Sequence, residues 1–276
     1  MNLEDYFIAQ FNVKTKYIGD DGALIGDYVY SKDAFFEDVH FKRAWMSLKE
    51  IAYRSMMINI SDAIAMNATP LYALLAVAMP KSISKADMKE ISSGFMQAAK
   101  RYNIDIIGGD TISNTKLDIS VTIISKTKTP LLRRGMKEGH LLAYTGRLGE
   151  SKKELTKLLR GGTIHSRSKF RNIILRDKFV AQTTRYLSAG MDISDGLFSD
   201  LGKLSSVNSL GYGFAKKISK SIGCSGEEYE MLISFDPRKK KAVQRRAAQT
   251  RTPITIFAKA TRKRYTNRCK AHHFKR

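Results

Sequence analysis

Only two of the 276 residues are cysteine, Cys224 and Cys269, and neither sits in a CxxC pair or near a histidine cluster with zinc-ligand spacing. A disulfide framework and a structural zinc site are thereby excluded, and the pair reads as two ordinary thiols. Long hydrophobic runs are also missing. Stretches such as Leu71–Met79 fall far short of the roughly 20 residues that cross a bilayer, and Met1-Asn2-Leu3-Glu4-Asp5 lacks the basic start and apolar run of a signal peptide. The expectation is a cytoplasmic protein with no membrane partner. Acidic residues are scarce, 26 against 48 Lys and Arg, for a formal charge of +22. Such an excess attracts polyanions, and fifteen of the basic residues fall between Pro237 and Arg276 with no Asp or Glu among them. No zinc finger, RRM signature or heptad-linked basic region accompanies them, so nucleic acid is not expected beyond non-specific charge attraction.

What is present is ample core material, 43% hydrophobic, arranged in alternating elements. Ser47-Leu48-Lys49-Glu50 has capping-box form and opens a helix to about Met66, where Asn67 and Pro70 stop it. Leu71–Met79 reads as a buried strand, Ser84-Lys85-Ala86-Asp87 opens a second helix to about Tyr102, and Ile104–Ile107 is a strand entering a tight Gly108-Gly109-Asp110 turn. Leu117–Ser125 alternates as another strand. A second part restarts with a strand at Leu141–Thr145 and helices over Ser151–Leu159, about Lys169–Leu187 and about Leu197–Leu204. A strand at Tyr229–Phe235, a basic helix after Pro237 and a strand at Thr255–Ala258 complete it. The fold class is α/β (α+β) in two domains, 1–130 and 131–276, without repeats.

Because carboxylates are few, their placement is informative. Asp20 and Asp21 lie between Gly19 and Gly22-Ala23; Asp33 follows the strand Tyr28–Tyr30; Asp62 ends Asn59-Ile60-Ser61-Asp62; Asp110 follows two glycines; Asp192 and Asp195 bracket Ile193-Ser194. Each is a short carboxylate beside small residues, where backbone can approach closely, and together they suit Mg²⁺, a hard ion that prefers oxygen ligands. Singly, each is also an ordinary turn or cap residue. There is no Walker A sequence, no third glycine after Gly211-Tyr212-Gly213, no GxSxG and no HExxH. Phosphate chemistry here would run through metal and loop amides.

Six stretches, in order, resemble the motifs of the thiamine-monophosphate kinase family: Gly19-Asp20-Asp21-Gly22-Ala23; Asp33 with Val39-His40-Phe41; Asn59-Ile60-Ser61-Asp62 with Ala65-Met66; Gly108-Gly109-Asp110-Thr111; Met191–Leu197; and Ser225–Glu230. That family lies within the aminoimidazole-ribonucleotide synthetase-like ATP-binding superfamily, and the resemblance runs from Tyr17 to about Phe274. It implies an N-terminal mixed sheet forming a barrel across a homodimer, and a C-terminal α/β domain closing over ATP. It implies Mg²⁺ at positions matching Asp21, Ser31, Lys32 (through its backbone), Asp33, Asp62, Asp110, Asp192 and Asp195. Gly109, Asp110, Arg133 and Ser194 match positions that bind ATP, and His40, Glu227 and Phe274 match positions that touch thiamine monophosphate. Lys32 stands where threonine is usual, Asn67 where glycine is usual, and Glu228 where aspartate is usual.

The reaction so implied moves the γ-phosphoryl of ATP onto thiamine monophosphate, with Asp33, Asp62 and Asp110 as the catalytic carboxylates. On the residues alone, His40 between Val39 and Phe41 reads equally as a satisfied strand residue, and Glu227 as part of an exposed element. Two rivals remain: another ATP-using enzyme of the superfamily with a different substrate, and a basic nucleic-acid-binding protein.

Overall fold

The computed structural model describes residues 3–11 and 17–270. A short helix α1 (Leu3–Ala9) precedes β1 (Ala23–Ile25), β2 (Tyr28–Phe36), α2 (Leu48–Ala65), β3 (Thr69–Pro80), α3 (Lys85–Tyr102), β4 (Asp105–Asn114) and β5 (Asp118–Lys126). Then follow β6 (Leu141–Thr145), α4 (Glu150–Leu159), α5 (Asp177–Thr183), β7 (Ala189–Asp192), α6 (Leu197–Asn208), β8 (Gly211–Phe214), α7 (Lys220–Gly223), β9 (Met231–Phe235), α8 (Lys240–Gln249) and β10 (Ile254–Thr261). The strands make two five-stranded sheets, ordered β1-β2-β5-β3-β4 and β7-β9-β6-β10-β8.

Both long helices of the first half start as their sequences predict. Ser47 accepts from the Glu50 amide while Glu50 reaches back to the Ser47 amide, and Ser84 and Asp87 repeat the arrangement at α3. Asn103 closes α3 in the left-handed conformation. The two helices then differ. α3 buries one face, whereas fourteen of the eighteen residues of α2 are buried. The contacts explain this: α2 lies on β2, β3 and β5, packs beside α3, and also touches β7 and α5 of the second half. A helix enclosed on all sides is apolar all round, and α2 is the shared spine of the molecule.

Three expectations are corrected. The first sheet does not close into a barrel: its order begins with β1, three residues long, and ends with β4, which pairs only with β3, so both edges are open among the described residues. Gly108-Gly109-Asp110 is not a turn but the middle of β4, which runs parallel to β3 through an irregularity that skips Ile107. A Cβ at Gly109 (φ 150°) would collide with the Leu75 carbonyl, so glycine keeps the strand continuous rather than ending it. The helix expected over 169–187 is confined to α5 and a 3-10 turn at Thr184–Tyr186. Before α5, Lys169 and Phe170 are held by tertiary partners: Lys169 pairs with Glu228 and Glu230, and the Phe170 amide donates to Glu154.

The two cysteines also differ from the reading as free thiols. Cys224 and Cys269 form a disulfide with a Cα–Cα distance of 5.6 Å. It ties the segment after β10 to α7. Tyr265 reinforces the attachment by donating to the Phe198 carbonyl at 2.7 Å.

Candidate active site

The C-terminal half of α2, the Asp20-Asp21 loop before β1, β2 and the end of β7 converge between the two sheets. β7 delivers Asp192 at its last position, and α2 delivers Asp62 one turn from its end. Ligand oxygens of Asp21, Asp62 and Asp192 all lie within 4.8 Å of one another. Asp33, on β2, hydrogen-bonds Asp62. Burial raises the carboxyl pKa of Asp62 well above the carboxylate range, and the charges of Asp33, Asp192 and Asp21 push it further. Asp192 is raised likewise, first by burial and then by Asp21, while a 2.6 Å hydrogen bond from Ser61 opposes the shift. Burial lifts Asp33 to about 6. Desolvation raises Asp21 as well, against the pull of Arg133, whose guanidinium pairs with it.

Four carboxylates that repel one another, Asp192 buried and Asp21, Asp33 and Asp62 partly so, with the part-buried Arg133 among them, form an arrangement that a divalent cation relieves. The all-oxygen donor set fits Mg²⁺ and suits neither zinc nor a soft metal.

The cluster opens into a cleft of about 400 Å³ lined by Asp33, His40, Asp62, Ser194, Asp195, Glu227 and Tyr229, among others. Sequence positions more than a hundred residues apart thus share one cavity. Asp195 lines it but pairs with Lys203 at 2.6 Å, and Lys203 also holds the buried Asp200, whose carboxyl is pushed up to about 7 by burial. His40 lies against Phe35 and Phe36, and its Nδ1 accepts from the Phe36 amide at 3.0 Å. The loop of Ser225–Tyr229 is fastened to the Ser194 loop by Glu227 N donating to Ser194 O (2.6 Å) and Tyr229 N donating to Ile193 O (2.9 Å).

Other expected residues stand apart. Ser31 is buried, with Oγ donating to Asn59 Oδ1 at 2.5 Å, and the exposed Lys32 side chain reaches Thr122 on the neighbouring strand. Gly109 shares a transverse row with Asp33 through Val121 and Leu75. Three strand spacings, about 14 Å, therefore separate them. Asp110, one residue on, is exposed on the edge strand, where it accepts from the Thr111 amide at 2.8 Å. Phe274 lies outside the described residues.

Sequence reasoning missed Arg54, Ser61, Lys203 and Asp200. Arg54 had a signal: it is the sole charged residue between Glu50 and Asp62 in an otherwise apolar helix. The others are recognisable only by their partners.

The chain resembles known proteins in sequence and in fold. Residues 19–127 match the family model "AIR synthase related protein, N-terminal domain". A thiamine-monophosphate kinase of Buchnera aphidicola subsp. Schizaphis graminum is 36% identical over 203 residues, which are 68% of this chain and 62% of that protein. One from Rhodopirellula baltica is 29% identical, over 93% of this chain and 89% of the relative. Among solved structures, AaThiL complexed with AMPPCP and TMP superposes with a TM-score of 0.82 at 22% identity, covering 95% of this chain and 93% of that one.

Proposed function

We propose that this chain, which carries the AIR synthase related N-terminal domain and is related in sequence and structure to thiamine-monophosphate kinases, transfers the γ-phosphoryl of ATP to thiamine monophosphate, giving ADP and thiamine diphosphate. The observation that carries the reading is the carboxylate cluster of Asp21, Asp62 and Asp192, which reaches a cleft through Asp62, in a relative of these kinases.

The cluster's residues would hold Mg²⁺, with Asp33 beside them; bound there, the cation supplies charge compensation between the phosphates of the two substrates. The acceptor is a phosphate monoester with a second pKa near about 6, so its attacking oxygen is ionised at neutral pH and no side chain need remove a proton. The protein's task is then to position two polyanions and exclude water. Ser194 and Arg133 would meet ATP, and His40, Glu227 and Phe274 the thiamine portion. Gly109 and Asp110, on the same sheet but distant from the cluster, would meet the nucleotide rather than share the cluster's cation. Ser31 and the Lys32 backbone would support β2 beside Asp33.

Residues 1–130 and 131–276 would act as two domains with the cleft between them. A homodimer is supported by the open edge at β4, where Ile107 and Ile112 are each more than half exposed. No described helix is long and apolar enough to cross a membrane, and a cytoplasmic location accords with substrates made and used in metabolism. The test is ADP release from purified protein with Mg-ATP, with and without thiamine monophosphate, and chromatography of the product. Thiamine-monophosphate-dependent formation of thiamine diphosphate is expected. Mg-ATP binding without that product would move the reading to another substrate of the same superfamily.

A further inference from the structure

Among the described residues, the largest fully buried side chain is charged. Arg54, in the middle of α2, has no solvent exposure. Its guanidinium lies 4.9 Å from the Phe170 ring and 5.8 Å from the Tyr229 ring. Nη1 donates to the Phe170 carbonyl, Nη2 donates to Glu227 Oε2 at 2.8 Å, and Nε has no acceptor among the described residues. Burying a guanidinium is costly, and an apolar side chain of similar volume would serve packing as well or better. The counter-ion makes the arrangement still less economical. Glu227 and Tyr229 both have left-handed backbone, with φ of 56° and 50°, a conformation that is rare for residues with a side chain. A donor without an acceptor, two strained residues and a buried charge at one spot beside a cleft mark a place where geometry matters more than stability.

The position of Glu227 shows what that geometry achieves. Its amide is fixed by Ser194 O at 2.6 Å, its carbonyl by Ser151 Oγ at 2.8 Å, and carboxylate Oε2 by Arg54. Oε1 has no partner among the described residues, and the residue lines the cleft with its side chain 30% exposed. We infer that Arg54 is a positioning residue: from beneath the cleft it fixes the Glu227 carboxylate so that the free oxygen meets an N–H donor or cationic ring of the phosphate-accepting substrate. This rests on the kinase reading above and adds to it the element that sets acceptor specificity. Arg54, with no solvent exposure, acts on the substrate only through Glu227.

Four variants test it: Arg54→Met, Arg54→Lys, Glu227→Ala, and Glu227→Ala combined with Arg54→Met. Arg54→Met leaves Glu227 free to hydrate, since that side chain is part-exposed, and methionine fills the space between the two rings. The expected result is a rise of about ten- to a hundredfold in KM for thiamine monophosphate, KM for ATP within about twofold, and partial recovery in Arg54→Lys. Glu227→Ala strands the buried guanidinium and should lower Tm; adding Arg54→Met should restore Tm and leave KM for thiamine monophosphate no worse than in Glu227→Ala. Equal losses for both substrates, or the same loss from Arg54→Met in the alanine background, would make Arg54 merely structural and overturn the inference. Hydrogen exchange provides a readout without turnover: the Glu227 and Tyr229 amides should exchange at least about tenfold faster in Arg54→Met, and unchanged rates would also overturn it. If the unsubstituted protein shows no thiamine-monophosphate-dependent turnover, the substrate reading fails by itself, and exchange alone decides whether Arg54 holds the loop.

Discussion

Asp62 and Asp110 occupy similar sequence settings, each a lone carboxylate beside small residues in a basic chain, yet they meet opposite environments. Asp62 lies on a helix enclosed by both halves of the molecule, with Asp21 and Asp192 converging on it and Asp33 hydrogen-bonded to it. Asp110 sits on an open-edged strand in solvent. The difference shows that a carboxylate gains neighbours able to share a cation only through the company the fold gives it. Neighbouring glycines permit close approach but do not supply a second carboxylate.

The contrast can be broken in four ways. Asp62→Asn should have the largest effect, reducing turnover by about a thousandfold or more without lowering the Tm of the cation-free protein, because asparagine replaces a carboxyl whose charge burial and its neighbours already disfavour. Thermal denaturation with and without Mg²⁺ should show the cation's stabilisation gone, and near-normal turnover would refute the assignment. Ser61→Ala should act through Asp192, which loses the hydroxyl that orients it; Mg²⁺ affinity should fall by about ten- to a hundredfold, measured by titration calorimetry.

A pH series comes next. Asp33 titrates near 6 in the cation-free fold against an ordinary value of 3.8, so the native state holds a proton there that the unfolded chain releases. Its contribution to the stability of the cation-free protein is therefore greatest below about 4 and is lost as pH rises through about 6. Mg²⁺ competes with that proton, so its stabilising effect should grow over the same interval, and a Tm difference independent of pH between 5 and 7.5 would contradict this. Asp110→Asn should do least: the Mg²⁺-induced Tm shift should stay within about 1 °C of the unsubstituted protein, since Asp110 is about 14 Å from Asp33. A loss as large as that of Asp62→Asn would erase the distinction.

What could be seen in the sequence follows the same division between local and distant causes. The capping boxes at Ser47 and Ser84, and the alternation that makes β5, are determined by residues within a few positions, and the corresponding elements begin and end close to where their sequences place them. The conformation around Phe170 is not local: the chain there is held by Arg54, Glu154, Glu228 and Glu230, and a helical reading of 169–187 had no access to them. The Cys224–Cys269 bond likewise depends on α7 and the segment after β10 meeting over α6, a fact that spacing alone does not contain. At the site, the aspartates stood out because acids are scarce, while Ser61 and Lys203 gave no sign until their partners were in place. Gly109 misled in the other direction. Its glycine signal was real, but it reports a close pass of two strands rather than a turn.

The route by which the carboxylates meet has a consequence for how the molecule is made. Ser61 and Asp192, joined directly, are 131 residues apart in the chain, and Asp20 is 113 residues from the Arg133 amide it caps. No fragment emerging during synthesis can contain the complete cluster until β7 has been made and has docked on α2. Contacts of such long range form late. A cation held by Asp21, Asp62 and Asp192 would stabilise only the finished arrangement, so the same site would also act as a final latch, rewarding correct docking of the second sheet and leaving half-built chains without its grip.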